Sequence, residues 1–278
     1  MDVYEAVRSR RAVRAFTDRQ VSETVLERVL SAAAWSPSGS NLQPWHTYVL
    51  TGESLAELKR RAGERAVVGD RWDEPEYRMY PPELSSPYRE RRADFGEKRY
   101  GALGISRSDW DARRKAATEN WECFGAPAAL FCYIDRDMGR PQWSDVGMYL
   151  QTVMLLLRAE GLHSCAQMAW SVYHSTVAEI ISPPDGLILY CGMSIGYEDV
   201  TVEQPRTGRA PLDETVTFVD RRHHTTSGNT RTDPSAGRLE NHQAPPNHQA
   251  APAHQPHSLA PNVQGHRDPA QSTVRGIS

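Results

Sequence analysis

Aromatic residues stop at Phe218: nothing from residue 219 to 278 is Phe, Trp or Tyr, while residues 221–278 hold seven of the ten His and seven of the nineteen Pro. Such a composition buries too little apolar surface to offset its ordering entropy, so 221–278 is expected to be a disordered His/Pro/Ala-rich tail. Its His242, His248, His254 and His257 lie in no spacing that closes a metal site. The 39% hydrophobic content of the 278-residue chain is therefore diluted by its end. Residues 1–220 remain sufficient for one domain with a substantial core.

Cysteine is scarce as well. Cys123, Cys132, Cys165 and Cys191 form no CxxC pair, which excludes a disulfide framework or a zinc site and leaves four buried thiols. No signal-like segment opens the chain, so a reducing cytoplasm is the expected location. A basic excess is also missing. The tail carries six Arg against three acids, leaving residues 1–220 with 26 basic and 32 acidic side chains. That balance excludes a sequence-tolerant nucleic-acid binder, which needs a basic face. The best apolar run, Val146 to Leu157, is broken by Gln151 and Thr152 and is too short to span a bilayer.

What is present is a regular alternation of elements. Asp2 caps a short helix with Val3, Tyr4 and Val7 on one face, and Ser22 caps a second in which Val25, Leu26, Val29, Leu30 and Ala33 recur at helical spacing. Strands are expected at Thr47–Leu50, Ala126–Ile134, Ser164–Ala169 and Leu187–Ile195. Helices are expected at Ser54–Arg61, Tyr88–Gly96, Ser108–Cys123 and Val172–Ile181, with a long one opening at Ser144 and stopping at Gly161. Glu214–Val219 alternates like a last strand that reaches out to another chain. Few strands separated by long helices indicate an α+β or three-layer α/β/α domain.

Three islands offer chemistry. In SRRAVRAF, the guanidinium forks of Arg8, Arg10, Arg11 and Arg14 are close enough in sequence to hold a phosphate dianion, although a solvated helix end would look the same. Between Ser36 and Trp45, hydroxyl, amide and Gly residues are stiffened by Pro37 and Pro44, either as a clasp for a polar ring or polyol or as an ordinary connection. Near the end of the domain, Arg206 and Arg209 in RTGRAPLDE offer a second basic wall from the far side of the sequence.

In order, RRAVRAF, SPSGSNLQPW, FGAPAALF, WSDVGMYLQTVMLLLRAEGL, SCAQMAW and GRAPLDETVTF resemble the FMN-dependent nitroreductase superfamily over about residues 2–220. The resemblance implies an α+β, three-layer α/β/α domain with a mixed central sheet, and a homodimer with two FMN sites at the subunit interface. It implies that Arg10, Arg11 and Arg14 anchor FMN, with Arg206 and Arg209 at the phosphate. Family members commonly carry Ser where this chain has Ala12, which leaves only the backbone N–H of that position. Pro37, Ser38, Ser40, Asn41 and Gln43 would reach the cofactor from the partner subunit. Gln167, Met168 and Ala169 would lie beside the flavin, with a backbone donor aimed at N5.

By the same resemblance, residues 63–120 form a variable cover over the flavin, with Arg91, Arg92, Tyr100, Asn120 and Trp121 lining the substrate cleft. The implied activity is hydride transfer from NADH or NADPH to nitroaromatics, quinones or other flat electron-poor acceptors in a ping-pong cycle. The cofactor carries the electronics, so no catalytic side chain is needed. The alternatives are a non-catalytic flavin-binding or sensing module, reductive dehalogenation, and flavin fragmentation. The expected partners are a second copy of the chain and a small aromatic or quinone substrate, with neither nucleic acid nor membrane.

Overall fold

A computed structural model describes residues 1–68 and 72–219. The expected tail therefore lies outside the described residues. Four strands, β1 (His46–Thr51), β2 (Ala128–Asp135), β3 (His163–Gln167) and β4 (Leu187–Gly196), form one sheet in the order β1-β2-β4-β3, each neighbouring pair antiparallel. The parallel component of the expected mixed sheet is confined to one bridge, between Ala12 and Ser164.

β2 explains the three layers. It is buried from Ala128 to Ile134, and the two-residue period of a strand sends alternate side chains to opposite faces. Ala129, Phe131 and Tyr133 join a core with Leu55, Leu58 and Ala62 of α3 (Gly52–Val68) and Val177 of α7 (His174–Ile181). Leu130, Cys132 and Ile134 join another with Leu26 and Val29 of α2 (Glu23–Ala33) and Val146, Val153 and Leu157 of α6 (Arg140–Ala159). On β4, Gly192 is required by packing: a Cβ there would sit 2.5 Å from Trp170 Cδ1.

The remaining helices are α1 (Val3–Ser9), α4 (Tyr88–Ala102) and α5 (Trp110–Thr118). Asp2 caps α1 as expected, its carboxylate accepting from the Glu5 N–H at 2.8 Å, whereas Ser22 makes no side-chain cap for α2. α6 begins earlier than Ser144, because Pro141 fits the first helical turn and the side-chain Oε1 of Gln142 accepts from the Gly139 N–H at 3.2 Å. α5 stops short of Cys123, since Cys123 and Phe124 adopt positive φ of 49° and 55°. Residues 214–219 form no strand: Leu212–Glu214 make a 3-10 turn, and apolar alternation becomes a strand only where a neighbouring edge supplies hydrogen bonds. All four Cys are free and buried. Among the described residues no helix is long and apolar enough to cross a membrane.

Candidate functional site

The segment after α1 runs extended along the outer edge of β3, where the Val13 N–H donates to the Ser164 carbonyl at 3.1 Å. This pairing places Val13 in the core, as Phe16 is further on, and leaves Arg10, Arg11, Ala12 and Arg14 lining open space. After β4 the chain returns past the same edge. Residues 198–209 form a strap against this run: the Asp199 N–H donates to the Ala15 carbonyl at 2.9 Å, and the Arg14 N–H donates to Gln204 Oε1 at 2.5 Å.

Run and strap enclose a cavity of about 360 Å³, within the range of small-molecule sites. Arg8, Arg10, Arg11 and Arg14 lie on one wall, and Arg206 and Arg209 on the other. Burial, followed by the charges of Arg209 and Arg206, pushes the Arg10 guanidinium below its usual pKa. Arg10 Nε is buried without a hydrogen-bond partner. Three cations around an unmet donor suit an anion, since guanidinium forks match phosphate oxygens in geometry and charge. Arg209 meanwhile folds back on its own turn, donating to the Thr207 hydroxyl at 3.1 Å and the Gly208 carbonyl at 2.8 Å.

Arg11 behaves differently from its neighbours. It borders the cavity, but its guanidinium is ion-paired with Glu198 and donates to the Gln204 carbonyl at 3.3 Å. His163 Nε2 lies 3.2 Å from the Glu198 carboxylate. Burial, with Arg158 and Arg11 adding to it, pulls the His163 pKa down to about 4, so the ring is neutral at pH 7.

The loop of Pro37, Ser38, Ser40, Asn41 and Gln43 connects α2 to β1 and does not line this cavity. Ser40, Asn41 and Gln43 hold positive φ of 50°, 56° and 49°, a costly region for non-Gly residues. Asp145, buried in the first turns of α6, holds the loop by accepting from the Gly39 N–H at 3.1 Å, and Ser38 Oγ accepts from the Gln43 N–H at 3.0 Å. At the end of β3, Gln167 is clamped: its amide donates to the Asn120 carbonyl at 2.9 Å, and its Oε1 accepts from Ser194. Met168 beside it is exposed, and Ala169 packs against the core.

The five expected lining residues do not converge. Arg91 pairs with Glu214 at 2.9 Å on a groove that also includes Arg209. Arg92 lies over the Tyr80 ring at 4.6 Å, away from the basic cavity. Tyr100 sits between Arg99 and Arg113, on another groove. Asn120 is occupied with Gln167. Trp121 is in the core, 4.4 Å from Tyr173 and 5.2 Å from Trp170 between ring centroids. The residues that do approach the Arg run are Phe95 and Arg99 of α4, Phe124, and Gln204 of the strap. Nothing in the sequence distinguishes them: α4 has no apolar face, and Phe124 lies between the helix expected to end at Cys123 and the strand expected from Ala126.

Fold and site together define a three-layer α+β protein that presents a cationic cavity of small-molecule size at one sheet edge. A family model described as "Nitroreductase family" matches residues 7–197. The chain belongs to the nitroreductase family of oxidoreductases. It is 39% identical over 219 residues to a 4-nitrobenzoate reductase of Nocardioides sp. strain LMS-CY, covering 77% of this chain and 88% of that protein. A nitrobenzene nitroreductase of Ectopseudomonas oleovorans is 35% identical over 217 residues, covering 77% and 96%. Among solved structures, the FMN and NADPH-dependent nitroreductase NfnB from Sphigopyxis sp. strain HMH superposes with a TM-score of 0.75 at 41% identity, over 79% of this chain and all of that one (100%). The FMN-dependent NfnB from Mycobacterium smegmatis in complex with NADPH gives a TM-score of 0.74 at 32% identity, over 78% of this chain and 97% of that one.

Proposed function

We propose that the chain is an FMN-dependent oxidoreductase that uses NADPH or NADH to reduce nitroaromatic compounds. The observation that carries this reading is the convergence of Arg10, Arg206 and Arg209 on a cavity where Arg10 Nε is buried without a partner, an anion cradle suited to a flavin phosphate. Bound FMN supplies reversible hydride chemistry that no side chain of the protein provides. The chain's own residues bind and orient. Arg10, Arg206 and Arg209 hold the phosphate, Arg14 extends the cationic wall, and the end of β3 at Gln167, Met168 and Ala169 is the backbone edge for the ring. Ala12 offers no hydroxyl, so the phosphate is held by guanidinium groups and backbone.

Within this reading the protein is a homodimer. Pro37, Ser38, Ser40, Asn41 and Gln43 form a mostly polar loop, strained at Ser40, Asn41 and Gln43 and not lining their own chain's cavity, as suits a loop that completes the site of a second copy. Residues 63–120 are the cover, quinones are further acceptors, and donor and acceptor take turns at one face in a ping-pong cycle. Residues 221–278 are a dispensable tail, and the location is cytoplasmic. The relatives named for nitrobenzoate and nitrobenzene support the nitroaromatic class.

The test is direct. The purified protein is expected to be yellow and to bleach under anaerobic NADPH or NADH, with colour restored by a nitroarene. Arg10→Ala and Arg209→Ala are expected to release FMN, each removing a charge-assisted contact of about 1.5–3 kcal/mol. Colourless protein that takes up no FMN would refute the reading.

A further inference from the structure

Beside the phosphate cavity is a second, smaller one of about 90 Å³, lined by Phe95 and Arg99 of α4, by Leu103 just after it, and by Phe124. Arg14 lines both cavities. Its guanidinium carbon lies 6.0 Å from the Phe124 ring centroid and 5.4 Å from that of Phe95. Arg99 approaches the same Phe124 ring at 5.8 Å. Two cations thus approach one aromatic ring, and burial, then Arg14, weakens the hold of Arg99 on its proton. Glu119 and Glu203 also border this space; both are solvent-exposed and neither is within ion-pair distance of Arg14 or Arg99, although the charge of Glu119 opposes part of the effect on Arg99.

Cation–π contact offsets only part of the cost of holding like charges together in a half-buried apolar space. A carboxylate between them would match the guanidinium forks, while its ring would lie edge-on or offset against Phe95 and Phe124. The small volume suits a carboxylate and the edge of one ring rather than a fused system.

We propose that this cavity takes the carboxylate end of a flat, single-ring aromatic acceptor, with Arg99 as the specificity-determining residue, so that carboxylated nitroarenes are preferred to neutral ones. This rests on the flavin-dependent reading above and names the substrate class for it. Phe95 and Phe124 bind any aromatic ring, whereas Arg99 distinguishes the charge it carries.

The experiment compares kcat/KM for 4-nitrobenzoate and nitrobenzene in the wild type, Arg99→Met and Arg99→Lys, and measures binding of non-reducible benzoate to the same proteins by calorimetry. The wild type is expected to favour 4-nitrobenzoate. Arg99→Met is expected to reduce the ratio of the two kcat/KM values about tenfold or more and to weaken benzoate binding by a similar factor, with Arg99→Lys intermediate because it restores charge without the fork. A wild type that favours nitrobenzene, a ratio insensitive to Arg99, or benzoate affinity equal in all three proteins would overturn the proposal. If the protein takes up no flavin, the oxidoreductase reading falls while the benzoate titration still decides the anion site.

Discussion

Arg11 and Glu198 are 187 residues apart in sequence, and their ion pair ties the segment after α1 to the strap that carries Gln204, Arg206 and Arg209. The carboxylate side chain is only 9% exposed and the guanidinium 28%, so water screens the pair weakly. Arg11 is thereby held as a strut at the edge of the cavity, and Arg10, Arg206 and Arg209 remain for the anion.

Breaking that strut should disturb both stability and cofactor hold. Glu198→Gln is expected to destabilise the fold by about 1–3 kcal/mol, because it leaves a half-buried cation without its counter-charge. FMN affinity should fall as the strap loosens. A double-mutant cycle of Arg11→Ala and Glu198→Ala in urea melts should show coupling of about 1 kcal/mol or more, and additive effects would mean that the two sites act independently.

Asp145 should matter to the 36–43 loop without touching any ligand within its own chain. Asp145→Asn keeps the shape but weakens the bond to the Gly39 N–H, since an ionised acceptor is roughly twice as strong as a neutral one. The expected result is faster amide exchange across residues 38–43 and weaker FMN retention, with little change in thermal midpoint. Unchanged exchange in the loop would remove Asp145 from this role.

The thiols should be inert in the folded protein. Burial raises Cys123 and Cys191 to about 12, so neither is appreciably ionised at pH 8. A thiol-reactive disulfide reagent at that pH should modify none of the four Cys until denaturant is added. Rapid native labelling of Cys123 or Cys191 would contradict this account.

Acid should weaken the attachment of α7 through Asp73. Burial pushes its carboxyl up, but the Ser175 N–H at 2.8 Å, the Arg65 guanidinium at 3.0 Å and the Ser175 hydroxyl together hold it below the usual carboxylate range. A folded-state pKa lower than the unfolded one gives stability that is complete above about pH 4 and is lost as pH falls through the folded value. Asp73→Asn should therefore be less stable than wild type at pH 7 and should lose less stability between pH 5 and pH 2. Parallel pH profiles would rule out Asp73 as a contributor.

The sequence by itself determined the elements and the general character of the site. Helical and strand periodicity depend on which local positions are apolar, and the boundaries of β1, β2, β3 and β4 follow from them to within a few residues. The Arg run and the pair Arg206 and Arg209 were legible because clustered cations are unusual in a chain that is otherwise acidic. Tertiary structure decided which of those cations are available. Arg10 and Arg11 are adjacent, yet the extended backbone directs them differently, and only a Glu met 187 residues later engages one and leaves the other free. The same holds for the cover: Trp121 is taken by Trp170 and Tyr173 in the core, whereas Phe95 and Arg99 of a polar helix reach the Arg14 wall. Side-chain partners separated by a hundred or more residues are set by how layers pack, and no local pattern encodes that distance.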